Sequence, residues 1–312
     1  MNNHFINTIE INNFKCFQNF KAEGFGRVNL IGGKNNVGKT AFMEACYINT
    51  YSYKSLNNAS MALSDVIFNR YNQVILQDLL LEKGKYYISK EIEKKIILFN
   101  ETKIQTNITK TILNYKEGDL GIRDKKNITK YFLGNNPITN DKLEESYGRI
   151  LELEMDDKID ELIKNIDQNI KSFRIITSQP KCNFIHNPTF FDIHELGDGL
   201  YKYISILFSL FICENSYLFI DEIENGIHYT NLDKLWELIL TISKDQNVQV
   251  FATTHSKECI ESFNRVQRQL EDKETYYFEM YKNIKDNKIE MRSLEDEQLA
   301  YELSHEGRLR GE

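Results

Sequence analysis

Eight consecutive residues constrain this chain more than any others. Gly33-Lys34-Asn35-Asn36-Val37-Gly38-Lys39-Thr40 reads G-x-x-x-x-G-K-T. The apolar run Val28-Asn29-Leu30-Ile31 precedes it, and Ala41, Phe42, Ala45 and Cys46 follow at helical spacing. Strand, glycine-rich loop and helix, in that order, is the context in which this pattern binds phosphate. Gly33 and Gly38 let the backbone wrap closely around phosphate oxygens. Free N–H groups at the helix start point at the anion, and the helix dipole favours it. Residues 33–41, with Lys34, Asn35, Asn36, Val37 and Ala41 completing the cradle, are the expected nucleotide-binding set. Lys39 is expected to reach the β- and γ-phosphates, and the Thr40 hydroxyl to ligate Mg²⁺. A glycine-rich turn that binds nothing is the competing reading, and the flanking strand and helix weigh against it.

Three further stretches supply matching chemistry. Tyr217-Leu218-Phe219-Ile220-Asp221-Glu222 is four apolar residues followed by two acids. A buried strand ending in Asp places that carboxylate at the sheet's C-terminal edge, beside a phosphate loop. There Asp221 can hold Mg²⁺ through water, and Glu222 can polarise an attacking water as general base. Val248 to Thr253 reads as another buried strand, running into Thr254-His255-Ser256, where His255 can hydrogen-bond a γ-phosphate or the lytic water. Gly197-Asp198-Gly199 opens an apolar helix expected from Tyr201 to Cys213. That is a second helix N-terminus able to take an anion. Two such ends on opposed subunits can clamp one nucleotide.

Taken in order, these stretches resemble an ABC-type ATPase of the SMC/RecF/OLD group. Ile9-x-Ile11-x-Asn13-Phe14-Lys15-Cys16-Phe17 is similar to that group's opening strand. The resemblance covers residues 1–60 and 172–270. It implies ATP bound between two heads, and so a homodimer or higher assembly. It also implies that the Gly197–Gly199 helix end contacts the γ-phosphate of the partner's nucleotide, with Glu222 as base and His255 as switch histidine. Glu224-Asn225-Gly226-Ile227-His228 corresponds to the loop that crosses the dimer interface. The implied fold is α/β: an ABC-type P-loop NTPase head with a mixed sheet, an antiparallel β subdomain and a short helical insertion. Residues 1–135 and 172–312 are the expected head, residues 74–115 the antiparallel β subdomain, and residues 136–171 the insertion.

The departures from the group's pattern are informative. Leu196-Gly197-Asp198-Gly199 stands in place of the transporter-type L-S-G-G-Q. Gln73 and Gln77 are both candidates for the glutamine that senses Mg²⁺. The long coiled coil of the SMC and DNA-repair relatives is missing, as is a visible C-terminal Toprim nuclease domain of the OLD nucleases. Compact heads of this kind resemble the ATPase subunits of two-gene anti-phage systems. The expected role is therefore an ATP-hydrolysing head that senses or regulates for a separate effector protein, such as a nuclease.

Composition sets the remaining bounds. The 312 residues carry a net charge of −7, which argues against a general nucleic-acid binder. Residues 83–130, however, hold twelve Lys and Arg against six Asp and Glu, leaving 27 basic and 40 acidic residues elsewhere. That basic stretch can face DNA or an acidic partner, which keeps open a DNA-maintenance ATPase as the alternative; a scaffold that binds ATP with little turnover is another. The longest largely apolar stretch, Ile204 to Cys213, is interrupted by Ser205 and Ser209 and is far short of the ~20 residues a spanning helix needs, so no membrane partner is expected. The five cysteines are odd in number, scattered and outside any C-x-x-C pair. Together with a start lacking a basic or apolar leader, they point to the cytoplasm. Residues 141–173 step through Met155, Ile159, Leu162, Ile166, Ile170 and Phe173 at helical spacing, with a break expected near Asp156-Asp157. A loop is expected around Pro180 and Pro188, a helix from Tyr229 to Ser243, and a terminal hairpin on either side of Asp286-Asn287.

Overall fold

Alternate residues of the central strands are apolar toward both sides, so the sheet they form must be covered twice. A computed structural model of the chain describes residues 5–52, 85–90, 95–100, 131–134 and 138–304. In it, β3 (Val28–Gly32) lies within a six-stranded sheet. The order is β13 (Ile289–Leu294), β12 (Thr275–Lys282), β3, β11 (Gln249–Thr253), β10 (Tyr217–Ile220) and β6 (Tyr131–Leu133). From β12 to β6 every pairing is parallel, and β13 returns antiparallel along β12. Val28, Leu30, Leu218, Ile220, Val250 and Ala252 pack to one side with Phe208, Trp236, Ile239 and Phe263. Ile31, Phe219, Phe251 and Phe278 face the other side with Phe25, Phe42 and Ile11. Continuously apolar strands of this kind belong to parallel sheets buried on both faces.

The first face is covered by α4 (Asp198–Ile212), α5 (Leu232–Asp245) and α6 (Lys257–Gln269). The second is covered by α1 (Lys39–Ser52) and by an antiparallel sheet of order β2 (Phe17–Glu23), β1 (Thr8–Phe14), β4 (Lys85–Lys90) and β5 (Lys95–Asn100). The mixed α/β architecture is thus as the sequence led us to expect. β2 was not anticipated: its inward residues Phe17, Phe20 and Ala22 are spaced irregularly, at three and then two. Most of the basic stretch 83–130, and both Gln73 and Gln77, lie outside the described residues.

The region expected to be helical with a break near Asp156-Asp157 is two helices, followed by a strand where the helical spacing continues. α2 (Asn140–Glu152) and α3 (Asp156–Ile166) are separated at Leu153–Met155, where Glu154 takes φ +54°. Ile170 and Phe173 keep the helical spacing yet lie in β7 (Ile170–Ile176). An Asx turn ends the helical course, with the Asn169 N–H on Asp167 Oδ1 at 2.9 Å. A register shift between Ile170 and Ser172 then brings both apolar residues into the core, mimicking a helical period. The expected proline loop is instead two more strands, β8 (Gln179–Phe184) and β9 (Asn187–Asp192). Pro188 is tolerated because β9 is an edge strand. Pro180 is tolerated because the β8–β9 pairing begins only at Lys181. α5 starts at Leu232, after a short 3₁₀ turn at Tyr229–Asn231. A final helix, α7 (Asp296–Ser304), follows β13. No described helix is long and apolar enough to cross a membrane.

Candidate functional site

The parallel register brings the C-terminal ends of β3, β11 and β10 to one edge. Ile31 stands opposite Thr253, and Ala252 opposite Ile220. β11 therefore separates the phosphate-loop strand from the acidic strand, so the two halves of the site meet above its end. The loop after β3 is shaped by its glycines. Gly33 has φ +141°, and a Cβ there would stand 2.2 Å from the Met280 carbonyl oxygen. Gly38 has φ +95°, and its Cβ would stand 2.8 Å from Cys16 Sγ. Neither position admits a side chain. Lys34, Asn35 and Asn36 are exposed on the rim, while Val37 and Ala41 are anchored in the core below. The Phe42 N–H donates to Gly38 O at 2.9 Å, starting α1 and leaving the preceding N–H groups for an anion.

Lys39 bends back over the loop. Its Nζ donates to Gly33 O at 2.7 Å and Lys34 O at 2.8 Å. Burial holds its pKa below the ordinary lysine value, and Asp221, Glu224 and Glu222 pull it partly back up. The lysine of the phosphate loop is thus electrostatically coupled to the acids at the end of β10. A phosphate in the loop would take over the role of the two carbonyls.

The acidic edge is fastened by Thr253, the last residue of β11. Its hydroxyl donates to Asp221 Oδ1 and accepts the Glu222 N–H, the latter at 2.9 Å. Asp221 is buried, and its N–H donates to Leu133 O at 2.8 Å. Glu222 has φ +47°, a left-handed backbone unusual outside glycine, which swings the chain sharply away from the sheet. Its carboxylate accepts from Asn225 Nδ2 at 2.5 Å. Glu224 Oε1 accepts the His255 N–H at 2.9 Å and lies 3.2 Å from His255 Nδ1. His255 is therefore held by the Glu224–His228 loop of its own chain.

Gly197, with φ +106°, caps α4, and Asp198 and Gly199 form the helix's first turn. This turn packs against the Glu224–His228 loop: Asp198 lies beside Gly226, and Gly199 beside the Gly226 carbonyl. A cleft of about 400 Å³ opens here, lined by Leu196, Gly197, Gly199, Gly226, Ile227 and His228 among others. Two participants, Thr253 and Lys202, were not foreseen, and Asn225, expected only within the Glu224–His228 loop, proves to be a partner of Glu222. Thr253 carries no motif signature of its own. Lys202, on α4, is half-buried. Burial lowers its pKa, while Asp221, Glu224 and Glu222 raise it, so a second lysine faces the same acids.

Residues 134–261 match the family described as "AAA domain, putative AbiEii toxin, Type IV TA system". An "ATP/GTP phosphatase" of Helicobacter pylori is 25% identical, over 85% of this chain and 89% of that protein. The SMC head domain from Thermotoga maritima superposes with a TM-score of 0.52 at 16% identity, covering 93% of this chain and 99% of that one. The chain has the fold of an ABC-type P-loop ATPase head, the fold that SMC heads share. An SMC head bound to the C-winged helix domain of ScpA shares the head's fold, with a TM-score of 0.52 at 14% identity over 93% of this chain and 97% of that one. The family match takes in the head's acidic strand, the α4 turn and His255, whereas the phosphate loop lies N-terminal to it.

Proposed function

We propose that this head binds ATP with Mg²⁺ on residues 33–41 and hydrolyses it slowly in a site completed by a second copy. The observation that carries the reading is the parallel register that brings the ends of β3, β11 and β10, and with them Lys39 and the Asp221-Glu222 pair, to one sheet edge. Glu222 is the general base, positioned where a strand end projects its carboxylate toward a nucleotide in the loop. His255, steered by Glu224, is within the same edge and contacts the γ-phosphate or lytic water. The Gly197–Gly199 turn of one copy faces the nucleotide of the other.

The donor set suits Mg²⁺. Among the described residues no cluster of three or more His, Cys, Asp or Glu stands ready to hold a metal. Magnesium needs none here, because it takes few protein oxygens and completes its shell with phosphate and water. Thr40 Oγ1 and Asp221 would supply the protein oxygens. When bound, the ion neutralises charge on the β- and γ-phosphates.

Phosphate release with Mg²⁺, and its loss in EDTA, tests the activity. Absence of both turnover and ATP affinity in the wild-type protein would sink the reading. Sizing with ATP tests the shared site, and a monomer under every nucleotide condition refutes it. We further propose that the cycle controls a separate effector protein, such as a nuclease, in anti-phage defence. The matched family's description, with its toxin of a type IV system, supports that direction. The solved SMC head bound to a ScpA domain supports docking of another protein on such a head. Plating efficiency of phage on cells carrying this chain with its neighbouring gene, against the same pair with Lys39→Ala, tests it. Equal plating overturns the defence role and leaves the ATPase reading intact.

A further inference from the structure

Gly199 lies outside the left-handed backbone region, so it is not glycine for conformational reasons. Space requires it: a Cβ there would stand 2.7 Å from the Gly226 carbonyl oxygen, a contact with rigid backbone. Gly226 in turn has φ +80°, and its open side faces Asp198, whose Cβ would be 3.6 Å from a side chain at 226. Two glycines thus let the start of α4 and the turn after Glu222 meet backbone to backbone. That turn is tightly wired. The Asn225 N–H donates to Glu222 O at 3.0 Å, and Asn225 Nδ2 to Glu222 Oε2 at 2.5 Å. The Ile227 N–H donates to Glu224 O at 3.0 Å, and Glu224 Oε1 accepts the His255 N–H at 2.9 Å. Any displacement of Gly226 is therefore passed within two hydrogen bonds to the Glu222 carboxylate and to His255.

We propose that Gly199, Gly226 and Asn225 are positioning residues that act within one chain. The start of α4 sets the pose of that chain's own Glu222, in addition to any contact α4 makes with a partner's nucleotide. The proposal rests on the reading of Glu222 as general base. A base displaced by about 1 Å loses on the order of a hundredfold in rate, so a methyl group forced into the Gly199–Gly226 contact should act on turnover rather than on ATP binding.

The test uses the full chain with ATP and Mg²⁺. Gly199→Ala should leave ATP affinity unchanged and lower kcat on the order of a hundredfold. Asn225→Ala, which removes only the exposed side-chain hydrogen bond to Glu222, should lower kcat about tenfold. Asn225→Asp has the same shape but opposes the Glu222 carboxylate with a like charge, so it should fall further than Asn225→Ala; a purely structural role predicts the reverse or no difference. Amide hydrogen exchange supplies a readout independent of turnover. In Gly199→Ala, exchange should quicken at Asn225 and Ile227 and stay unchanged along α1. Unaltered exchange at those amides, or a normal kcat in Gly199→Ala, overturns the joint. A wild-type chain without turnover removes Glu222 as base, and the exchange comparison then still decides whether the joint exists.

Discussion

The phosphate loop and the acidic edge face each other across the end of β11, and they are specified in different ways. In the loop, the chemistry is local. Eight consecutive residues carry the glycines, the lysine and the hydroxyl, and Lys39 finds its partners within its own loop at Gly33 and Lys34. The acidic edge is assembled from separate segments. Thr253 fastens Asp221, Glu224 fastens His255, and Gly226 rests on Gly199, each contact spanning tens of residues in sequence. A local motif survives change elsewhere so long as its strand and helix stand. An assembled edge depends on every element that feeds it. The first should therefore fail by losing its ligand, and the second by losing rate while keeping the ligand.

Lys39→Ala gives the sharpest break. Removing the ammonium takes away the charge that meets the phosphates, and ATP affinity should fall at least about a hundredfold, to undetectable levels in a fluorescent-nucleotide titration. Retained affinity would mean that the loop is not where nucleotide binds. Glu222→Gln should do the opposite, keeping ATP while turnover falls by roughly 10² to 10⁴. With ATP present, its sizing profile should show a larger species than the wild type. Mixing sharpens the comparison further. Lys39→Ala and Gly199→Ala chains each fail alone by different routes. In a mixed dimer the one loop able to load ATP belongs to the chain with the displaced Glu222, so activity should stay absent. Recovery, with mixed dimers demonstrated, would put the whole contribution of α4 on the partner's side. Thr253→Val is milder. It keeps the shape of β11 but strips Asp221 and the Glu222 N–H of their shared partner, at a cost of about 1–3 kcal/mol in unfolding free energy. Denaturant unfolding should show that loss with ATP affinity largely kept.

The same contrast explains what was legible in the sequence. The loop, the acidic strand, the start of α4 and the parallel core all appear as short-range patterns, because their residues act where they are written. Thr253 and Lys202 gave no such signal, and the contact of Asn225 with Glu222 was not among what its loop motif implied. Each matters through a contact made only once β11, the Glu222 turn and α4 are packed together. The misreading of Ile170 and Phe173 has the same origin. A β-bulge put residues three apart on one face, which a helical period also does. The prolines at 180 and 188 suggested a loop because the edge position that excuses them is a property of the assembled sheet.

The smallest expected effect lies behind the acidic edge, where α5 follows the Glu224–His228 loop and α6 follows His255. Asp233 on α5 accepts from Arg265 Nη2 at 2.6 Å and Nε at 2.9 Å, and from Ser262 Oγ at 2.5 Å, all on α6. The Arg265 hydrogen bond, opposed in part by burial and aided by Ser262, holds the Asp233 carboxyl below the ordinary aspartate value. A carboxyl with a lower pKa folded than unfolded binds fewer protons when folded. Its stabilisation is present above the unfolded value of about 3.9, and it is lost as pH falls through the folded value. Both side chains are substantially exposed, so water screens the pair and Asp233→Asn should cost below about 1 kcal/mol at neutral pH. The gap between wild type and Asp233→Asn should close as pH drops below the aspartate range, and should narrow in high salt. A gap that persists in acid would show that Ser262 and packing, rather than charge, join α5 to α6. If the brace matters to the edge at all, Asp233→Asn should quicken amide exchange at the His255 N–H, which Glu224 holds, before it changes turnover.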